Sequence, residues 1–317
     1  MTVKLSNEIG GYFGLDLETD KSENLSHYSI ALNSGRNCLR YLIRELNIKK
    51  IRIPSYTCPD LIKSIAEENC KIDFYHINKN FLPEEEFINS DYILYTNYFG
   101  ICSRNVKKLS RKYENLIVDN AQAYHMPMSG LASFNSARKF FGVPDGAFLH
   151  SRIRFKDDLQ SDKTSINRFS HLLKRIDVDA QFGYEDYKKN DELLGHEEIK
   201  LMSNITKALV CSHDVRYEKS RRLENFKYLH KHLKKMNELE ISLDVDDIPM
   251  IYPFLVKDGK LLKNTLIKNN IYVATYWNAE NLNNVEQTFQ DNLVPLPIDQ
   301  RYGIDEMNKI LMVLAAQ

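Results

Sequence analysis

The sequence predicts an α/β protein with a mostly parallel sheet. Short apolar runs alternate with stretches of helical periodicity through the first half of the chain. Strands joined by helical crossovers pair in parallel and bury both faces of their sheet. A composition of 43% hydrophobic and 11% aromatic residues supplies an ordinary core. The 317 residues suffice for one large and one smaller domain.

The elements follow in order. After Asn33-Ser34-Gly35, the segment Arg36 to Leu46 carries Cys38, Leu39, Leu42, Ile43 and Leu46 on one helical face. Lys50 to Pro54 reads as a strand and Asp60 to Glu68 as a helix that starts near Pro59. Ile72 to Ile77, Tyr92 to Thr96 and Leu116 to Val118 are further strands, with a helix over Arg104 to Tyr113. Another strand is expected at Ala147 to Leu149. Ligands of such sheets sit beyond the carboxyl ends of the strands, which points to Ser55-Tyr56, Asn97-Tyr98 and Asp119 to Gln122.

The character changes after about residue 155. Thr164 to Leu233 is rich in Lys, Glu, Leu and Asn and lacks Pro, which predicts mainly long helix broken at Phe182-Gly183-Tyr184. Beyond it, Pro249 to Val256 and Ile271 to Ala274 read as strands, and Lys260 to Lys268 and Asp305 to Leu314 as helices. The organisation predicted is a large domain with an N-terminal arm over 1–160, a helical connection over 161–214 and a small α/β domain over 215–317.

Lys plus Arg and Asp plus Glu both number 43, so no net charge favours nucleic acid or a membrane surface. No apolar run approaches the roughly 20 residues of a membrane span, and the start of the chain shows no apolar leader. The five cysteines are scattered without a CxxC pair. That argues against a disulfide framework or a metal site and for reduced thiols in a cytoplasm.

Three stretches hold residues capable of chemistry. Asn33-Ser34-Gly35-Arg36 opens a helix whose free amides suit a phosphate, with Arg36 adding a charge-assisted contact; the same residues can simply cap the helix. Asp119, directly after a strand, can accept from a protonated ring nitrogen or cap the next turn, and Gln122 can reach a ligand or a loop. Between Ser133 and Gly146 two adjacent cations, Arg138 and Lys139, precede a strand. A lysine beside a second cation in a partly dry pocket has a lowered pKa and can act as a nucleophile; the alternative is a solvated basic turn.

Taken together these pieces resemble the DegT/DnrJ/EryC1/StrS family of sugar aminotransferases, pyridoxal-phosphate (PLP) enzymes of the aspartate-aminotransferase fold type. Asn33-Ser34-Gly35 is similar to the family's phosphate loop, and Pro54-Ser55-Tyr56-Thr57 to its Pro-x-x-Thr segment. Asp119-Asn120-Ala121-Gln122-Ala123 resembles its Asp-Ala-Ala-Gln-Ala motif, and Ser133 to Arg138 with Asp145-Gly146 its lysine segment and Asp-Gly-Gly. Leu296-Pro297 resembles the element ahead of its last helix. The resemblance implies a fold-type-I large domain and a smaller C-terminal domain. It further implies PLP as cofactor, with Asp119 on the ring nitrogen, Gln122 near the ring hydroxyl, Tyr56 near the ring, and Ser34, Gly35, Arg36 and Ser133 around the phosphate. A homodimer with a sugar substrate and an amino-acid donor is implied as well, and no metal.

The chain departs from the family at the lysine. Aligned without a gap, Arg138 takes the position of the Schiff-base lysine, and a guanidinium cannot perform that role. Lys139 reaches the register only through a one-residue insertion, and along an extended segment one residue of slip turns a side chain to the opposite face. Arg138 is therefore expected in the pocket, with Lys139 turned toward solvent or a partner subunit. Three readings follow. The first is an aminotransferase acting on a nucleotide-linked keto-sugar with Lys139 catalytic. The second is a lysine-less relative that holds PLP, its amine form PMP or another phosphate ligand non-covalently for a different sugar conversion, with His125 as a candidate base. The third is a non-catalytic binding protein in which the cofactor is lost.

Overall fold

A computed structural model describes residues 15, 17, 29–154 and 158–316; the predicted N-terminal arm lies almost wholly outside them. Seven strands build the main sheet: β1 (Ser29–Leu32), β2 (Lys50–Pro54), β3 (Lys71–Tyr75), β4 (Tyr92–Thr96), β5 (Leu116–Asn120), β6 (Ala132–Asn135) and β7 (Ala147–Ser151). Their order is β1-β7-β6-β5-β4-β2-β3. Strands β2 to β6 pair in parallel, while β7 runs antiparallel between β6 and β1. The carboxyl ends of β2, β4, β5 and β6 thus lie along one edge of the sheet.

Helices α1 (Gly35–Glu45), α2 (Pro59–Ala66) and α3 (Ser103–Lys112) occupy the crossovers. Strand alternation divides the sheet's side chains between two cores. Ile51, Ile53, Leu94, Ile117, Phe134 and Leu149 pack with Cys38, Leu39 and Leu42 of α1. Tyr75, Ile93, Tyr95, Val118 and Phe148 face the other way, into a core rich in aromatic rings.

The middle of the chain differs from the long helix predicted. It forms α4 (Ser170–Asp177), α5 (Tyr184–Gly195), α6 (Asn204–Cys211) and the 19-residue α7 (Val215–Leu233). Local stops and starts cut it up: Ser203 caps α6 by accepting from Thr206 N, and Asp214 caps α7 by accepting from Arg216 N and Tyr217 N. The C-terminal part adds β8 (Ile251–Leu255), α8 (Gly259–Lys268), α9 (Asn284–Asn292), β9 (Leu293–Pro297) and α10 (Ile304–Ala315). Strands β8 and β9 pair antiparallel and pack on α7, α8 and α10 through a third core. Ile271 to Ala274, expected as a strand, is irregular; no strand lies alongside to take its backbone groups, so its β-branched residues do not suffice. No helix among the described residues is long and apolar enough to cross a membrane.

Candidate functional site

Ser34 stands in extended backbone at the start of α1, and its hydroxyl accepts from Asn37 N at 3.2 Å. That cap leaves the first amides of the helix, Gly35 and Arg36, open. A Cβ on Gly35 would approach Asn135 O to 3.1 Å and the Phe134 ring to 3.7 Å, so glycine lets α1 press against the end of β6. Asn33 and Asn37 donate to the carbonyls of Glu197 and Glu198, which fixes the turn from outside.

Asp119 lies near the end of β5 opposite Phe134 and shares the α1 face with Ile117. Its carboxylate is 7% exposed and accepts from Ala121 N at 2.8 Å. Burial raises its carboxyl above the ordinary range, and the charge of Lys139 opposes that rise. Gln122 is buried; its Oε1 accepts from Phe99 N at 2.8 Å, and its Nε2 has no partner.

Two predicted contacts are corrected. Ser133 pairs with Val118 and therefore faces the aromatic core, away from Phe134 and Gly35. Its hydroxyl is buried and unpartnered there, so it does not share an anion site with the start of α1. Ser136 does face that way, because its extended backbone (φ −143°, ψ 113°) continues the alternation from Phe134. Tyr56 is fully buried. Trp277, Tyr98 and Phe289 pack around its ring, and its hydroxyl donates to Tyr276 O. No face of that ring is open to a ligand.

The lysine register turns on the conformation after Ser136. Residues Ala137–Lys139 form a 3-10 turn, closed by Phe140 N and Phe141 N on Ala137 O and tied to Gly146 O through Ala137 N. Successive side chains in such a turn diverge by about 120°, not the near-reversal of a strand. The premise that one residue of slip turns Lys139 away does not hold here. Arg138 and Lys139 both line a cavity of about 240 Å³ between this turn, α5 and the C-terminal part.

The two cations do different things. Arg138 Nη1 donates to Asp191 Oδ1 of α5 at 2.9 Å, with its guanidinium 5.7 Å from the centre of the Tyr187 ring. Arg36 Nη2 reaches the same oxygen at 3.3 Å. Burial alone would raise the Asp191 carboxyl, but Arg138, Arg36 and Lys139 outweigh it and hold it low. Lys139 is exposed into the cleft. Burial pushes the Cys58 thiol up, and Lys139 opposes this as it does at Asp119.

Behind the turn, Asp145 is wholly buried and accepts from Ser165 Oγ at 2.6 Å, Thr206 Oγ1 at 2.6 Å and Arg168 Nη2 at 2.9 Å. Arg168 also donates to Asp162 and, at 3.0 Å, to Glu197. This network holds the reversal at Gly146, whose φ of +101° suits glycine.

No protein-family model matches the sequence, and no curated protein matches it. Solved structures do match over most of its length. An aminotransferase of the DegT/DnrJ/EryC1/StrS type from Brucella abortus is 14% identical, covering 91% of this chain and 85% of that one at a TM-score of 0.60. The chain has the fold of these aminotransferases. The sugar aminotransferase CalS13 from Micromonospora echinospora is 14% identical, with 91% and 87% covered at a TM-score of 0.63. The Bacillus subtilis protein NtdA, solved with bound cofactor PMP, is 12% identical, with 91% and 74% covered at a TM-score of 0.64.

Sequence reasoning missed Asp191, Ser136 and Arg168. Ser136 had a signal, the same alternation that removes Ser133. The other two act across the fold, and nothing in their own neighbourhoods marks them.

Proposed function

We propose that the chain is a PLP-dependent, aminotransferase-like enzyme that acts on a nucleotide-linked keto-sugar, with an amino acid as donor and Lys139 as the nucleophile and proton carrier. The observation that carries this reading is that Arg138 is tied to Asp191 at 2.9 Å while Lys139 lines the same cavity, exposed. The 3-10 turn supports this reading over the lysine-less one in that Lys139 need not point away from Arg138. The sugar class draws on the printed names of the structural neighbours, and a homodimer in the cytoplasm belongs to the same proposal.

The residues present suit the cofactor. Asp119 is a buried carboxylate with one hydrogen bond and an acceptor oxygen to spare, which suits a protonated pyridine nitrogen. The unpartnered Gln122 Nε2 suits a ring oxygen. The open amides of Gly35 and Arg36, with Ser136 on the same face, suit a phosphate. When bound, PLP supplies an aldehyde for covalent capture of amines and a ring that withdraws electrons. Asp119 would accept from the ring nitrogen and favour its charged form, and Lys139, in the same cleft, would take and return the proton.

The test is borohydride reduction of purified protein incubated with PLP, followed by peptide mass analysis. A reduced adduct on Lys139, retained in Arg138→Ala and lost in Lys139→Ala, is expected. Absence of an adduct in excess PLP would overturn the assignment.

A further inference from the structure

A second cavity lies between the last turns of α7 and the chain that follows it. It holds about 450 Å³, room for roughly fifteen waters at ~30 Å³ each. Phe226, Ile241 and Leu243 give it an apolar floor that packs on the third core. Lys227, Lys231 and Lys234 complete the lining. All three are exposed, and none makes an ion pair or a side-chain hydrogen bond among the described residues. Positions i, i+4 and i+7 share one helical face, so the lysines form a row about 10 Å long. His230 lines the cavity as well; burial, then the charge of Lys234, lowers its pKa, so its ring is neutral at pH 7.

No acidic residue lines this cavity. The carboxylates of the loop that follows are committed elsewhere. Asp244 and Asp246 each take Lys107 at 2.7 Å, and Asp247 accepts from Ser103 N and Asp244 N. Helix α3 thereby holds the negative charge of the loop away from α7. The negative end of the α7 dipole, about half a charge, favours cations in its last turn. It does not account for Lys227, more than one turn earlier, and three full positive charges outweigh it.

We infer that this cavity binds a polyphosphate ligand of nucleotide size, its phosphates along the lysine row and its flat ring on Phe226, Ile241 and Leu243. Lysines are point charges that suit phosphate oxygens without imposing a plane. A row of about 10 Å outreaches a single carboxylate and matches linked phosphates. An apolar floor with few polar groups, in a cavity of this volume, suits a small molecule with a ring. The site is separate from the cleft at Lys139. Arg222 lines that cleft and donates to Met250 O at 3.1 Å. Lys227 and Lys231 follow it by five and nine positions, which turns them about 140° and 180° around α7. Binding here is independent of the reaction proposed above.

Calorimetric titration of the full chain with ADP, pyrophosphate and adenosine tests this. ADP is expected to bind. Pyrophosphate, without the ring, and adenosine, without the charge, should each bind at least about tenfold more weakly. Replacing the row by Lys227→Gln, Lys231→Gln and Lys234→Gln together should weaken ADP by about a hundredfold or more, the loss of several charge-assisted contacts. Ser242→Glu, which adds a carboxylate to the lining, should weaken it at least about tenfold. All four positions are exposed, so the unfolding midpoints should not move. No ADP binding by the wild type overturns the site. Undiminished binding by the variants does so too, because the nucleotide then sits elsewhere, as in the cleft at Lys139. Pyrophosphate as tight as ADP would leave the floor without a role, and an octaglutamate peptide as tight as ADP would assign the groove to an acidic protein segment; either result overturns the assignment.

Discussion

Gln300 donates from its side-chain amide to the carbonyl of Phe140 at 2.6 Å. A residue beyond β9 thereby grips the backbone next to Lys139. Replacing Gln300 with Ala leaves a buried carbonyl unpaired and is expected to cost about 1–3 kcal/mol in urea unfolding. It should also slow adduct formation at Lys139 under the borohydride assay. Normal trapping kinetics in a variant destabilised by that amount would separate the grip from the chemistry.

Asp119→Asn is expected to move stability and ligand binding in opposite directions. The folded carboxyl titrates above its ordinary range because burial penalises its charge. A raised carboxyl pKa means that the folded state binds the proton more tightly, so at neutral pH the charge is a burden to the unliganded protein. The amide should raise the melting temperature without PLP and weaken PLP by roughly tenfold or more, the effect of one charge-assisted hydrogen bond. A lower melting temperature would show that the carboxylate is already compensated.

Arg168→Met should be the most damaging of these substitutions. It strands Asp145 and Asp162, whose side chains are both 0% exposed. Removing one partner of a buried ion pair costs about 3–5 kcal/mol. Denaturant unfolding at neutral pH measures it, and a loss below about 1 kcal/mol, the level of a surface pair, would contradict the network described.

Asp191→Asn tests the arginine clamp. The carboxylate is 43% exposed, so its pairs contribute little, at most about 1 kcal/mol. Its folded pKa is depressed, so that contribution is present above the ordinary carboxyl range and is lost as pH falls through the lower folded value. Stability curves of wild type and variant should differ above about pH 4 and converge below it. With the carboxylate neutralised, Arg138 loses its ion pair and Arg36 keeps only the 3.8 Å pair with Asp60, and inorganic phosphate should bind more tightly and with a steeper dependence on salt.

Much of the fold could be read from the chain, for physical reasons. Strand β4 and the first three residues of β5 are apolar runs because both of their faces are covered, β2 alternates Ile51 and Ile53 with cations, and α1 has a clear apolar stripe. Strand β9 was hidden by Pro295 and Pro297, residues that a two-stranded ribbon tolerates because each strand is an edge. Ile271 to Ala274 has strand composition without a partner. The positions of Gly35, Asp119 and Gln122 were legible because each follows or opens a regular element. The backbone conformation at Lys139 was not, because a 3-10 turn tied to Gly146 O through Ala137 N replaces the extended segment expected there. Asp191 and Arg222 reach their partners only through tertiary packing.

The antiparallel pairing of β1 with β7 has a consequence for biosynthesis. The strand made first pairs within the sheet only with the strand made last, and Leu32 is further bridged to Leu201. While the chain leaves the ribosome, β1 has nowhere to dock until the whole parallel body has emerged. A chain arrested before β7 therefore presents the open side of β6 and an unpaired β1, two templates for association with other nascent chains. Completion of the segment through Leu201 seals that side, so the order of synthesis makes the middle third of the molecule the guardian of β1.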